Sequence, residues 1–169
     1  MVVLSLLAPA SVAGATPIHS GKIAIGDSVM LGAKPQLLAR GFVRVDAVVS
    51  RQFYSAPMVI NQWKNRGLLP HTVVVHLGTN GLIHGSDCDA TVHAVGPRQI
   101  YFVTLKVPRP HRDPSNAALR ACVNRHGNAH LIDWFTYSRL HTSWFYHDGY
   151  HLNPVGRIKY AMFVASHSG

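Results

Sequence analysis

The sequence predicts an α/β protein, a three-layer α/β/α sandwich whose middle layer is a five-stranded parallel sheet. Short apolar runs rich in β-branched residues alternate with longer segments that carry apolar residues at helical spacing. This alternation favours a parallel sheet with helices on both faces, because crossovers between parallel strands are right-handed. The length of 169 residues is typical of one domain with one sizeable core.

Five segments have the apolar, β-branched character of buried strands and end near glycine or a polar turn residue. They are KIAIG (22–26), FVRVDAVVS (42–50), HTVVVHLG (71–78), QIYFVTL (99–105) and AHLIDW (129–134).

Four segments between and after these strands are predicted to be helices. They are LGAKPQLLAR (31–40), APMVINQWKNRG (56–67), NAALRACVNRHG (116–127) and NPVGRIKYAMFVASH (153–167). The second and third end in glycine, which favours a helix C-terminus, and Pro154 stands where the first helical turn tolerates proline. Residues 81–97 show little pattern, and a loop and a short helix are both open there.

The composition is that of a globular protein with a basic surface. Apolar residues make up 47% and charged residues 14% of the chain, and 16 Lys and Arg face 7 acidic residues, for a net charge of +9. Such a charge favours an acidic partner, for example an anionic cell-wall polymer, a membrane surface or nucleic acid. The basic residues are scattered and form no nucleic-acid-binding motif, so nucleic acid is not expected as a partner. The chain is expected to be a monomer.

The first 16 residues are apolar and rich in small side chains. They are too short to span a bilayer and lack a positive start, so we interpret them as a signal peptide or a membrane-segment remnant. The domain itself is expected at residues 20–169, outside the cytoplasm. Cys88 and Cys122 could then form a disulfide, and two buried free thiols are the alternative.

Chemically reactive side chains follow three of the predicted elements. Ser28 comes directly after the first strand, Asn80 follows the third, and Asp148 and His151 precede the last helix. Ligands of doubly wound sheets bind at the carboxyl ends of the strands, so we expect these residues at one edge. A serine needs a base to take its proton, and a carboxylate three residues from a histidine can fix the imidazole. The Asn80 amide and the Ser28 backbone N–H could bind an oxyanion.

Three motifs resemble blocks I, III and V of the SGNH hydrolase superfamily, the GDSL-type esterases. They are IGDSVMLGA (25–33), VVVHLGTNG (73–81) and DGYHLNPVG (148–156). VDAVVSRQ, VTLKVPRP and LIDW further resemble the extracellular SGNH domain of peptidoglycan O-acetyltransferase-like membrane acyltransferases (acyltransferase family 3) of actinobacteria. The resemblance implies a sheet of flavodoxin-like strand order, a catalytic triad of Ser28, Asp148 and His151, and an oxyanion hole that includes Ser28 and Asn80. No clear counterpart of the block II glycine is present, and a backbone N–H near Arg51 is a further candidate donor.

The resemblance also implies a substrate and partners. The expected function is serine-dependent hydrolysis or transfer of O-acetyl groups on cell-envelope glycans through an acyl-enzyme. The expected substrate is an acetylated carbohydrate or cell-wall glycan, a membrane acyltransferase component is a candidate partner, and neither a cofactor nor a metal is expected. A general small-ester GDSL esterase or lipase and a noncatalytic envelope-binding module are the alternatives.

Several residues have a structural interpretation beside a functional one. Lys106 and Arg109 follow a predicted strand and could contact substrate, or they could form a solvated rim. Trp144 could stack on a sugar, or belong to the core. Asp27 is expected to bond local backbone in its turn, and His76 is expected to be a core histidine with a hydrogen-bond partner.

Overall fold

The computed structural model describes residues 21–169. The expectation for residues 1–16 lies outside this range. The strands are β1 (Lys22–Gly26), β2 (Phe42–Ala47), β3 (Thr72–His76), β4 (Gln99–Val103) and β5 (Ala129–Ile132). The α-helices are α1 (Ser28–Gly32), α2 (Lys34–Leu38), α3 (Ala56–Asn65), α4 (Gly85–Val95), α5 (Arg112–Val123), α6 (Trp134–Ser138) and α7 (Pro154–Ser166). None of the helices in residues 21–169 combines the length and the apolar character that a membrane crossing needs.

The five strands form one sheet in the order β2-β1-β3-β4-β5, and every neighbouring pair is parallel. This confirms the predicted α/β class with its five-stranded parallel sheet and flavodoxin-like strand order. The order reverses between β1 and β3, because the chain moves from β1 outward to β2 and then returns to the other side. A crevice forms at such a point, outside the carboxyl ends of the strands.

Alternate residues of the central strands supply the two halves of the core. Ile23 and Ile25 of β1 belong to one cluster of buried side chains, and Ala24 between them belongs to the other. The first cluster also takes buried residues from α3, α4 and α5, and the second from α1, α2, α6 and α7. The sheet is therefore covered on both faces, as the alternation predicted.

Several predicted bounds differ from the structure by a few residues, and Trp134, predicted to end the last strand, begins α6 instead. The helix predicted at residues 31–40 is divided into α1 and α2, because Pro35 lacks an N–H and is tolerated only in a first helical turn. The strand predicted to reach residue 50 ends at Ala47, and a turn follows in which Ser50 has a φ of 61°. The stretch at 81–97, left open between loop and helix, contains α4.

The two cysteines, for which the sequence left two alternatives open, form a disulfide in the structure. Cys88 lies on α4 and Cys122 on α5, and both are fully buried in the first core cluster. The bond therefore fastens two neighbouring helices of one layer.

Candidate active site

Ser28 begins α1, immediately after the turn that ends β1. Asp27 caps this helix, because its Oδ1 accepts a hydrogen bond from the backbone N–H of Val29 at 3.0 Å. A side chain at Gly26 would put its Cβ 2.4 Å from the Met30 Cβ, so the tight turn needs glycine. The Ser28 N–H has no hydrogen-bond partner among residues 21–169. The turn therefore presents both the hydroxyl and the backbone N–H of Ser28 at the carboxyl edge of the sheet.

Asp148 and His151 lie on a short hairpin, residues 145–152, that precedes α7. Phe145 and Leu152 form an antiparallel bridge at its base, and the Tyr146 N–H donates to the His151 carbonyl at 2.8 Å. The Gly149 N–H closes the tip on the Tyr146 carbonyl at 2.9 Å, and Gly149 has a φ of 77°, a region that favours glycine. The sequence FYHDGYHL is thus a compact 145–152 hairpin with Asp148 at its tip.

The hairpin holds the Asp148 carboxylate and the His151 ring in a fixed relation. Oδ1 of Asp148 accepts from the backbone N–H groups of Tyr150 at 3.0 Å and His151 at 2.9 Å. Oδ2 lies 2.7 Å from Nδ1 of His151. Partial burial favours the neutral acid, but the hydrogen bonds from Tyr150 and His151 outweigh it and lower the pKa of Asp148. The carboxylate therefore stays ionised and accepts the proton of Nδ1.

The hairpin brings the other nitrogen of this ring to Ser28. His151 Nε2 lies 2.9 Å from Ser28 Oγ, across 123 residues of sequence. Because Nδ1 carries its proton toward Asp148, Nε2 is left as the acceptor for the Ser28 hydroxyl. The three side chains form a continuous hydrogen-bonded chain from a carboxylate through an imidazole to a hydroxyl.

Asn80 stands in the loop after β3. Its Nδ2 donates to the Arg51 carbonyl and to Thr79 Oγ1, both at 3.4 Å. Its backbone carbonyl accepts from Gln52 Nε2 at 3.2 Å. The Asn80 side chain is exposed. Sequence reasoning did not single out Thr79 or Gln52, although Thr79 directly precedes Asn80 in the same motif.

Thr79 connects the Asn80 loop to the Ser28 turn. The Thr79 hydroxyl donates to Oδ2 of Asp27 at 2.6 Å, and both residues are buried. Since Oδ1 of Asp27 binds the Val29 N–H, one carboxylate joins the turn after β1 to the loop after β3. Asp27 therefore bonds backbone in its own turn, as expected, and also bonds a side chain in the loop after β3.

Arg51 is engaged in structural contacts. Its backbone N–H donates to the Val48 carbonyl at 3.3 Å, so this group is used within the turn and is not a free oxyanion donor. Its guanidinium donates to the carbonyl and the carboxylate of Asp46, at 2.6 Å and 2.8 Å, and to the Gly26 carbonyl at 3.4 Å. Arg51 thus braces the carboxyl ends of β1 and β2.

The three residues expected to contact substrate have different surroundings. The ammonium of Lys106 donates to the Gly149 carbonyl and lies 4.2 Å from the centre of the Phe145 ring. Arg109 is exposed. Trp144 is buried with 8% of its surface exposed, and it stacks on His141 with ring centres 3.9 Å apart. Trp144 therefore belongs to the core, as its structural interpretation held.

His76 is a buried histidine with a hydrogen-bond partner, as expected. Its Nδ1 lies 2.8 Å from the hydroxyl of Tyr160. Burial lowers the pKa of His76, against a smaller opposite effect of the Asp27 charge, and burial raises the pKa of Tyr160 well above its ordinary value. Both shifts favour the neutral form of the side chain.

One group of metal-ligand side chains comes together in the described part of the chain, namely Asp89, Cys122 and His126. The sulfur of Cys122 is bonded to Cys88, and Asp89 pairs with Arg125 and His126 at 2.8 Å. These groups therefore have protein partners already.

Comparison with known proteins shows relatives among O-acetyltransferases. The chain is 32% identical over 139 residues to the O-acetyltransferase OatA of Staphylococcus aureus, which covers 81% of this chain and 23% of the relative. It is 34% identical over 136 residues to the putative peptidoglycan O-acetyltransferase YrhL of Bacillus subtilis, covering 79% of this chain and 21% of that protein. The chain thus spans less than a quarter of the length of these relatives. No family model matches it.

Solved structures share the fold. The C-terminal catalytic domain of peptidoglycan O-acetyltransferase A from Streptococcus pneumoniae, solved with a methylsulfonyl adduct, superposes with a TM-score of 0.77 at 22% identity. The match covers 87% of this chain and 91% of that one. A family 3 carbohydrate esterase from Clostridium thermocellum superposes with a TM-score of 0.68 at 17% identity, covering 87% and 94%.

Proposed function

Because the chain belongs to the SGNH-type superfamily and has peptidoglycan O-acetyltransferases among its relatives, we propose that it is a serine-dependent acyl-ester enzyme acting on O-acetyl groups of cell-envelope glycans. The observation that carries this proposal is the hydrogen-bonded chain from Asp148 through His151 to Ser28, with contacts of 2.7 Å and 2.9 Å. A serine that served only to cap a helix would not need a histidine and a carboxylate aligned behind its hydroxyl.

In the proposed mechanism Ser28 is the nucleophile and His151 the base. Nε2 of His151 takes the hydroxyl proton as Oγ of Ser28 bonds to the acyl carbon. The Asp148 carboxylate holds the ring by Nδ1 and stabilises the imidazolium that forms. When the tetrahedral intermediate collapses, the bond to the donor alcohol breaks and His151 returns the proton to the leaving oxygen. The acyl group is then an ester on Ser28.

The second half-reaction repeats this proton transfer with a new oxygen. Water or a glycan hydroxyl gives its proton to His151 and attacks the acyl-enzyme, and Ser28 leaves with that proton. Water as the acceptor gives hydrolysis, and a sugar hydroxyl gives O-acetyl transfer.

The negative oxygen of each intermediate would be held by the Ser28 N–H and by Nδ2 of Asn80. The N–H stands at the start of α1 and has no other partner in residues 21–169. The Asn80 amide donates to the Arg51 carbonyl and to Thr79 Oγ1, both at 3.4 Å. Both contacts are long, so the hydrogen directed to Thr79 would turn to the oxyanion when it forms. Loss of one such donor typically costs about 3 kcal/mol of transition-state stabilisation.

The proposed substrate and location rest on the relatives and on charge. Relatives more than four times as long as the matched segment are consistent with a membrane acyltransferase component that supplies the acyl donor. The net charge of +9 fits an anionic envelope polymer and an extracytoplasmic location. A small-ester esterase and a noncatalytic envelope-binding module are the competing functions.

The experiment follows an activated acetyl ester with and without a cell-wall oligosaccharide, using Ser28→Ala as the control. The proposal expects acetyl on the glycan or free acetate, and covalent labelling of Ser28 by a fluorophosphonate. Absence of both labelling and turnover would favour the binding module. Equal turnover of octanoyl and acetyl esters, with no effect of the glycan, would favour the small-ester esterase.

A further inference from the structure

The 145–152 hairpin satisfies most of its hydrogen bonds within itself. Its base is closed by the bridge between Phe145 and Leu152, and its tip by the turn from Tyr146 to Gly149. Among the described residues, the carboxylate of Asp148 accepts only from groups of the same hairpin. These bonds fix Asp148 relative to His151, but they do not fix the hairpin relative to Ser28.

The base of the hairpin is held by the core, because Phe145 and Leu152 are buried and their carbonyls accept from Asn153 and Arg157. Between them, residues 146–151 make two hydrogen bonds to other elements in the described part of the chain. One is the contact between His151 and Ser28, which is the contact that must be positioned. The other is donated by the Lys106 ammonium to the Gly149 carbonyl at the hairpin tip. Tyr150 adds apolar packing against both core clusters.

Lys106 is well placed to act on the hairpin. It follows β4 at the carboxyl edge of the sheet, 43 residues before Gly149, and is half-buried. Its ammonium lies over the Phe145 ring, 4.2 Å from the ring centre, so it touches both the base and the tip of the hairpin. Burial and then the charge of Arg112 lower the pKa of Lys106, while the charge of Asp148 opposes them. Arg112 and Asp148 are thus the charged groups whose electrostatic effect changes the pKa of Lys106.

We propose that Lys106 is a positioning residue that fastens the Asp148–His151 hairpin to the end of β4, and so aims His151 Nε2 at Ser28. Its ammonium lies over the ring of Phe145 and donates to the carbonyl of Gly149. This assignment rests on the proposed function of the hairpin. It differs from the expectation that Lys106 contacts substrate, because its ammonium is engaged with the hairpin.

The test compares Lys106→Met and Lys106→Arg with Lys64→Met. Lys64 is a matched control, because its ammonium also donates to a backbone carbonyl, that of Ala94 at 2.7 Å, and is also half-buried. Lys106→Met removes a charged hydrogen bond to the hairpin tip, so kcat should fall at least about tenfold. KM should stay within about twofold of wild type, and Lys106→Arg should recover most of kcat.

Amide hydrogen exchange supplies a readout that does not need activity. Exchange of the Tyr146 and Gly149 amides should accelerate about tenfold in Lys106→Met and stay unchanged in Lys64→Met. A raised KM with kcat retained would assign Lys106 to substrate contact and overturn the proposal. Wild-type exchange at the hairpin, or a wild-type kcat, in Lys106→Met would also overturn it. If wild type has no Ser28-dependent turnover, the proposed function fails, and the exchange comparison still decides whether Lys106 holds the hairpin.

Discussion

Asp27 offers the sharpest test of how the fold supports the site. The residue is fully buried, and its two carboxylate oxygens have one partner each, the Val29 N–H at 3.0 Å and the Thr79 hydroxyl at 2.6 Å. Asp27→Ala leaves both partners without an acceptor. A buried donor that loses its acceptor costs about 1–3 kcal/mol. The expected loss in the free energy of unfolding for the two donors is therefore about 2–6 kcal/mol, a large part of the 5–15 kcal/mol typical of a domain.

The loss should also reach the chemistry. Asp27 holds the turn of Ser28 and the loop of Asn80 together, so kcat for an acetyl ester should fall with KM little changed. Asp27→Asn should lose less, because an amide keeps one acceptor and can donate to the Thr79 oxygen, although the charge is gone.

Urea unfolding and ester kinetics on the same variants check both effects. Thr79→Val removes one of the two bonds, and the double variant should show a coupling energy of about 0.5–3 kcal/mol. Thr136→Val is the control, because its hydroxyl donates to the Asp133 carboxylate at 2.8 Å but is exposed. It should lose less than about 1 kcal/mol. An Asp27→Ala protein within about 0.5 kcal/mol of wild type, with kcat retained, would refute this reasoning.

Three further predictions concern packing, pH and salt. Gly156→Ala should lower the free energy of unfolding by about 3 kcal/mol, because its Cβ would lie 1.9 Å from the Trp144 carbonyl oxygen. The control is Gly32→Ala, whose nearest contact is 3.7 Å away and which should stay within about 1 kcal/mol of wild type. Urea unfolding midpoints of the two variants test this difference. Burial lowers the pKa of His76 from 6.5, so below that pH the unfolded chain binds a proton at this residue more readily than the native protein does. The free energy of unfolding should therefore fall as the pH drops below 6.5. His76→Gln should flatten that fall, and an unchanged slope between the two proteins would remove His76 as its cause. Sedimentation with peptidoglycan should weaken as salt rises, because a net charge of +9 is screened over about 10 Å at 0.1 M salt, whereas salt-independent binding would argue against electrostatic attraction.

The sheet could be predicted from local pattern because its strands are short and continuous, and the central strands β1, β3 and β4 are largely buried on both faces. Helix α4 was left open because Gly85, Ser86 and Asp87 at its start are weak helix formers. A signal was present, since Cys88, Thr91, Val92 and Val95 of α4 are buried at helical spacing.

The site could be predicted as far as the carboxyl-edge rule extends. This rule put Ser28, Asn80 and the Asp148 loop at one edge without coordinates. It could not give the contact of Lys106 with Gly149, because that contact depends on how the hairpin turns back toward β4. Nor could it separate the interpretations of Trp144, whose burial follows from the packing of α6 and α7 around it.

The central claim is that Ser28 carries an acyl group between a donor ester and an acceptor. The most direct measurement mixes wild type and Ser28→Ala with an activated acetyl ester, quenches within one turnover, and determines intact mass followed by peptide mapping. The account predicts one acetyl group on wild type, located on Ser28, lost faster when a glycan acceptor is added, and absent from Ser28→Ala. Turnover by Ser28→Ala near the wild-type rate, or an acetyl group on another residue of an active enzyme, would contradict it.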